Sequence, residues 1–333
     1  MRRFFFKVFV LLVLAIAGLL AYGLYLPTGP DAQKLVQLRS GSSARRIAAD
    51  LASAGIIRSQ TAFLFWHYAH GRQSLKAGEY SFDHPAALRE VYERIARGDI
   101  YFHTLVVPEG FSMFDIAAAI EQSGLGRRDD FLKVVRTEAA LVRDLDPAAP
   151  SLEGYLFPDT YHFTRTQSLR DMAAAMVRRF RQTATELALD HLTLDHGVHD
   201  VVTMASLVEK ETGVAEERAV VAGVFNNRLS RRIPLATDPA VIYAALLNNR
   251  WRGTIYQSDL QFNSPYNTYK NAGLPPGPIS NPGKESLRAA MRPASTEYLY
   301  FVSDNRGHHR FARTLAEHAV NVAAYRRAAG QVH

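Results

Sequence analysis

The pattern of apolar and polar positions divides the chain into one unbroken apolar run followed by a succession of short amphipathic segments. No charged residue interrupts Val8 to Leu26, a run close to the roughly 20 residues that carry a helix across a hydrocarbon core. Arg2, Arg3 and Lys7 stand before it. Basic residues stay on the cytoplasmic side, so everything after Pro27 is sent outward. A cleaved signal peptide is the competing reading, but the run exceeds an ordinary h-region and no small-x-small cleavage site follows Leu26. The expectation is a cytoplasmic tip and one uncleaved transmembrane anchor over residues 1–27, then a linker over 28–34 broken by Gly29 and Pro30.

Beyond the linker, LRSGSSARRIAADLASAGI from Leu38 aligns without gaps to VPEGFSMFDIAAAIEQSGL from Val107. Gly41 pairs with Gly110, Ser43 with Ser112, Ile47 with Ile116, Ala48 with Ala117 and Gly55 with Gly124, at a constant offset of 69 residues. Each copy predicts a short strand, a Gly turn, a Ser-capped helix with apolar residues at helical spacing, and a closing Gly. Between the copies, Thr61 to Tyr68 predicts a helix, Leu75 to Phe82 alternates as a strand does, and Ala86 to Arg97 returns to helix. These elements make a small α+β domain over 35–125, with the boundary in the polar stretch that follows and one helix there near Asp130 to Thr137. A larger domain occupies 126–330. In it, Ser168 and Asp171 have capping-box spacing ahead of a helix reaching about Thr185. A second helix begins near Asp200 and a third covers Glu216 to Leu229, whereas Ile233 to Pro282 reads as loop, rich in Pro, Gly, Asn and Tyr.

Composition narrows the chemistry. Hydrophobic residues are 47% and charged residues 21% of 333, the balance of a chain that buries a core. There is no cysteine, which excludes disulfides, thiolate metal sites and thiol nucleophiles. The net charge of +7 favours anionic lipid or wall polymer, but no Lys/Arg run interleaved with aromatics marks a nucleic-acid surface, and export excludes that partner. His308, His309 and His318 lack the carboxylates and spacing of a metal site, and no phosphate loop or nucleophile elbow occurs. Neither metal nor cofactor is expected.

The remaining candidates are carboxylates and aromatics. VEKET, Val208 to Thr212, ends a helix whose Val201, Val202, Ala205 and Val208 face a core. Glu209 and Glu211 are two residues apart and point to roughly opposite sides, so they cannot act as a facing pair. Taken alone, the segment reads as two surface glutamates flanking Lys210. Its company changes that reading. KAGEYSF, EGYLFPDTY, MASLVEKET, ERAVVAGVFNNRL, TDPAVIY, YNTYKNAGLPPGPISNPG and YLYFVSDNRGHHRFARTLAEH follow one another from Lys76 to His318. Together they resemble the endolytic murein transglycosylases of the MltG or YceG-like family.

That resemblance implies a fold class and a chemistry. The fold would be α+β, with a small LysM-like domain and a larger catalytic domain carrying a lysozyme-like catalytic helix. The family's catalytic glutamate falls on Glu211. The reaction would cleave the bond between N-acetylmuramic acid and N-acetylglucosamine within peptidoglycan strands, leaving 1,6-anhydro ends, and the nucleophile is the substrate's own 6-hydroxyl, so no second carboxylate is required. An acid of this kind must be protonated near neutral pH, which calls for an apolar surround, assigned here to Met204, Leu207 and Val208. Flat apolar faces, amides and hydroxyls suited to sugar occur at Tyr155, Tyr161, Asn267, Thr268 and Tyr269. Asp159 and Asp238 are further candidates for contact with substrate, with turn or cap roles as the alternative. LPPGPISNPG reads as a rigid loop bordering the cleft. Expected partners are peptidoglycan strands, membrane lipid and the synthases, penicillin-binding proteins among them, that polymerise new strands. A glycan hydrolase using Asp238 as second carboxylate, and a non-catalytic wall-binding scaffold, are the other readings.

Overall fold

The protein is described by a computed structural model covering residues 1–189 and 197–329. Two compact units divide it: Met1–His103 with His162–Thr166, and the rest.

In the first unit, helix α1 (Arg2–Tyr25) is followed by β1 (Lys34–Leu38), α2 (Ala44–Ser53), α3 (Gln60–Ala69), β2 (Gly78–Phe82) and α4 (Leu88–Arg97). Strands β1 and β2 pair antiparallel, from Lys34 opposite Phe82 to Leu38 opposite Gly78. Leu38, Leu51, Phe63, Tyr80 and Ile95 fill the core beneath them. Tyr80 enters it whole because its hydroxyl donates to the Lys76 carbonyl at 2.8 Å. The last turn of α1 belongs to this core: Leu24 is buried in it and Leu20 packs on its edge. At Gly23 a Cβ would stand 3.0 Å from Ala62 Cβ, so the absence of a side chain is what lets α1 meet α3. Residues 28–34 are not a free connection either. Thr28 and Ala86 exchange backbone hydrogen bonds of 2.9 and 3.2 Å, so the chain is fastened two residues after α1's cap, Leu26.

The remaining elements are β3 (His103–Val107), α5 (Met113–Gln122), α6 (Arg128–Thr137), β4 (Asp159–Phe163), α7 (Leu169–Glu186), α8 (Val198–Glu211), α9 (Arg218–Ser230), α10 (Asp238–Leu247), α11 (Gln257–Leu260), α12 (Lys284–Met291), β5 (Tyr300–Ser303), β6 (His309–Ala312) and α13 (Leu315–Ala329). β3 pairs with β4, and β5 with β6. Helix α8 is the axis of the second unit. Every residue from Val201 to Val208 is buried, and α9, α10 and α12 pack around it.

Both copies of the repeat fold as a strand, a Gly turn and a Ser-capped helix. Ser43 Oγ accepts from Arg46 N at 3.2 Å and Ser112 Oγ from Asp115 N at 3.4 Å. Gly41 and Gly110 take φ of 75° and 77°, and Gly55 and Gly124 take 74° and 66°, the left-handed values that make glycine the residue of choice there. The copies nonetheless lie in different units. The division falls at His103/Thr104, whereas the sequence boundary lay beyond residue 125. The second copy is bound to its own unit through α6 and through Asn281, which holds the turn before α5: Gly110 N donates to the Asn281 carbonyl at 2.9 Å and Asn281 N to the Phe111 carbonyl at 2.8 Å. The stretch read as loop after Ile233 contains α10, begun by Thr237-Asp238-Pro239 with proline in its first turn.

Helix α9 is clasped by the segment before β5. Asn227 Nδ2 donates to the carbonyls of Thr296 at 2.7 Å and Tyr298 at 3.0 Å, which gives this side chain a structural task its sequence context did not reveal. Gly223, one turn earlier, is where that segment comes closest: a Cβ would lie 2.4 Å from the Ala294 carbonyl oxygen and 2.8 Å from Thr296 Cγ2. In an open helix Gly→Ala stabilises by about 1 kcal/mol. Here Gly223→Ala is expected to destabilise by about 1–3 kcal/mol, as overpacked sites do, with a lowered thermal midpoint as the readout.

Candidate active site

Glu211 is the last residue of α8, and Thr212, which caps the helix, is buried. Buried positions on α8 set the helix firmly, and its end presents Glu211 to a cavity of about 350 Å³. The walls come from Phe225 and Arg228 of α9, from Leu235 to Asp238 ahead of and into α10, from Tyr269, from Tyr300 and Phe301 of β5, and from His318 of α13. Burial pushes the Glu211 carboxyl up to about 7, the Asp238 carboxylate adds in the same direction, and Arg228 opposes it. The negative end of the α8 dipole also disfavours an ionised carboxyl there. Near neutrality the group therefore has a proton to give and, once ionised, a site to receive one.

The surrounding groups are held in place from behind. Tyr269 Oη donates to Asp238 Oδ1 at 2.7 Å. Arg228 is anchored by its Nε to the Leu299 carbonyl at 2.7 Å and by Nη1 to the Leu235 carbonyl at 2.6 Å, while its guanidinium lies 5.2 Å from the Tyr300 ring centroid. The His318 ring stacks on Tyr300 at 5.1 Å. Its buried Nδ1 has no hydrogen-bond partner among the described residues.

Of the residues singled out in the sequence, Glu211, Asp238 and Tyr269 meet in this cavity. The others stand elsewhere. Asn267 and Thr268 are wholly buried. Asn267 Nδ2 donates to the carbonyls of Leu260 and Phe262 at 2.9 and 2.8 Å and its Oδ1 accepts from Tyr269 N at 3.0 Å, so it builds the turn that presents Tyr269. Thr268 Oγ1 accepts from Thr237 N at 3.0 Å, beside Asp238. Tyr155 is buried against Phe180 with its hydroxyl on Asp146, and Tyr161 Oη donates to the Phe157 carbonyl at 2.5 Å. Asp159 is an exposed ion pair with Arg179 at 2.6 Å. The apolar surround of Glu211 also differs from expectation in part. Met204 lines a separate cavity with Asp200 and Val201, and Phe225, Leu235 and Phe301 supply the apolar wall instead.

Glu209 diverges from Glu211, as helix geometry requires. Its Oε2 accepts from Gly283 N at 2.9 Å and its Oε1 lies 3.6 Å from Arg218, tying α8 to the start of α12. Glu153, pushed up to about 8 by burial, lies in the core and accepts from Met113 N at 2.8 Å, at the head of α5. The loop LPPGPISNPG does not line this cavity. Ile279, Ser280 and Asn281 are buried, with Ile279 N donating to Ser206 Oγ of α8 at 3.0 Å. His308 and His309 both contact Glu217, at 3.2 and 2.7 Å.

A carboxyl group raised to about 7 at the end of a buried helix, facing an open cavity with a second carboxylate in its wall, is an arrangement suited to acid–base chemistry. Residues 36–324 match the model of the YceG-like family, and the chain belongs to that family. It is 34% identical to an endolytic murein transglycosylase of Bacillus subtilis, over 92% of this chain and 89% of the relative. It is 30% identical to an endolytic murein transglycosylase of Streptococcus pneumoniae, over 96% of this chain but only 65% of that longer protein. A crystal structure of a YceG-like protein from Listeria monocytogenes superimposes with a TM-score of 0.59 at 32% identity, covering 87% of this chain and 99% of that one.

Asp238→Asn gives a direct reading of the electrostatics. The Asp238 carboxylate helps hold the Glu211 proton, so its removal lowers the Glu211 pKa. If Glu211 is the acid, a falling alkaline limb of kcat/KM is expected near pH 7 in the native protein and at lower pH in this variant. A limb that stayed in place would separate the two carboxyls electrostatically.

Proposed function

We propose that this chain is an endolytic murein transglycosylase, carried on its N-terminal helix in the plasma membrane with its catalytic unit outside the cytoplasm, and that Glu211 is its acid and base. The observation that carries the proposal is the Glu211 carboxyl, pushed up to about 7 on the wall of a cavity large enough to take a sugar of the strand. The protonated carboxyl donates to the glycosidic oxygen between N-acetylmuramic acid and N-acetylglucosamine. The carboxylate left behind then takes the proton of the muramic 6-hydroxyl as that oxygen attacks the anomeric carbon, which closes a 1,6-anhydro ring and restores the acid. No water enters. Phe225, Leu235 and Phe301 favour the neutral carboxyl at rest, and Arg228 favours the charged one formed midway. Tyr269, 39% exposed, and Asp238 are the sugar contacts of the cavity.

The names of the bacterial relatives support the substrate class, and the first copy of the repeat, β1–α2, is proposed as a LysM-like element that meets the same strands. Cleavage inside nascent strands places the enzyme beside the synthases that lengthen them. Mass spectrometry of purified glycan strands digested by the full chain in detergent tests the mechanism. Anhydromuramic ends are expected; reducing ends would instead assign Asp238 to a water, as in a hydrolase.

A further inference from the structure

Helix α3 carries a surface that the core of its unit uses only in part, with Trp66 packed on the edge of that core. Its sequence QTAFLFWHYA buries Ala62, Phe63 and His67, yet Phe65 is 50% and Tyr68 is 56% exposed, and Trp66, partly exposed, stacks on His70 at 3.7 Å. Along this stretch of the chain the charge has one sign. From Arg58 to Lys76 there is no acidic residue, while Arg58, Arg72 and Lys76 are basic, and the Arg72 guanidinium lies 5.0 Å from the Tyr68 ring centroid. Monomeric surfaces do not ordinarily gather large aromatics in this way. Aromatic rings mixed with basic side chains are the composition of the membrane–water interface, where the ring bodies sit among acyl chains and the cations meet phosphate.

The place of α3 in the fold supplies the occupant. The head of α3 meets the last turn of α1, with Ser59 and Ala62 against Gly23. Arg58 Nη1 donates to Tyr22 Oη at 2.8 Å and Nη2 to the Pro27 carbonyl at 3.3 Å, so a cation is fixed where α1 ends. Leu20, a turn further into the apolar run, also packs on this unit. A helix of 24 residues is about 36 Å long, a little more than the hydrocarbon core, so a span centred on α1 leaves its last turn at the outer boundary. A body packed as far down as Leu20 stands at headgroup depth.

We infer that α3 is an interfacial contact, with Phe65, Trp66 and Tyr68 resting in the outer headgroup layer of an anionic bilayer beside Arg58 and Arg72. The inference rests on α1 spanning the membrane. The chain has only two tryptophans, Trp66 and Trp251, which makes the contact measurable. The full chain is reconstituted in phosphatidylglycerol/phosphatidylethanolamine vesicles, with and without lipid spin-labelled near the headgroup, as Trp251→Phe (reporting Trp66) and as Trp66→Phe (reporting Trp251). Expected are a quenching of Trp66 emission by twofold or more, at least twice that of Trp251, and a loss of half the Trp66 quenching when Phe65→Glu and Tyr68→Ser are added. Circular dichroism melting of that variant shows it folded. Equal quenching of the two tryptophans in a chain that resists alkaline carbonate extraction overturns the contact alone. A chain stripped from the vesicles by carbonate overturns the span, and the contact with it.

Discussion

Glu211→Gln is expected to lower kcat by at least about 10²–10⁴-fold, the contribution of a general acid and base, with strand binding retained. The amide has nearly the shape of the acid but no proton to give and no charge with which to take one. A folding defect is excluded by the sign of a second effect. Burial raises the folded-state pKa of Glu211 from 4.5 to about 7, so between those values the unfolded chain ionises at this position while the folded chain does not. Stability contributed by this group therefore falls as pH rises from 4.5 and levels off above about 7. The glutamine has nothing to ionise. The inactive variant is expected to be more stable than the native protein at pH 8, by up to about 3 kcal/mol, and no more stable at pH 4. Denaturant titrations at the two pH values measure this difference. An active Glu211→Gln enzyme would leave the cavity without its acid.

The second large effect lies away from the cavity. Asn281 is wholly buried and spends its whole side chain on the core. Its Oδ1 accepts from Gly154 N at 2.9 Å and Leu156 N at 2.8 Å, and its Nδ2 donates to the Phe111 carbonyl at 2.9 Å and to Glu153 Oε1 at 2.8 Å. Alanine at this position strands two buried N–H groups and takes a donor from a buried carboxyl, each at about 1–3 kcal/mol. Asn281→Ala is expected to cost about 4 kcal/mol or more, a large share of the total stability of about 5–15 kcal/mol of an ordinary protein, read as a lower denaturation midpoint. Activity per folded molecule should change far less than with Glu211→Gln, because no atom of Asn281 lines the cavity.

These two residues show what a sequence can and cannot disclose. The apolar N-terminal helix, both copies of the repeat and the helix ending in VEKET were legible because each is a local pattern: an apolar run, a Gly-x-Ser turn at fixed offset, an apolar stripe. The closeness of Glu211 to Asp238 was not, since α8 and α10 come together only through packing. Polar residues posed the harder problem. Asn267 and Thr268 have the chemistry that meets a sugar, and the same chemistry satisfies buried backbone groups; only burial separates the two uses. Asn281 illustrates the opposite error, as a loop rich in proline and glycine was read as the rim of a cleft although it fills the interior. Arg228, Tyr300 and His318 went unremarked as site residues because they converge from α9, β5 and α13. One signal was available: a helix-end arginine following two asparagines, in a segment otherwise apolar. Pro239 after Thr237-Asp238 was a second, marking the start of α10.

The exchange of hydrogen bonds between Thr28 and Ala86 has a mechanical corollary. A tether with slack absorbs a pull by straightening before anything folded feels it. Here the slack ends two residues past the cap of α1, so tension exerted on the first unit would pass at once into that helix.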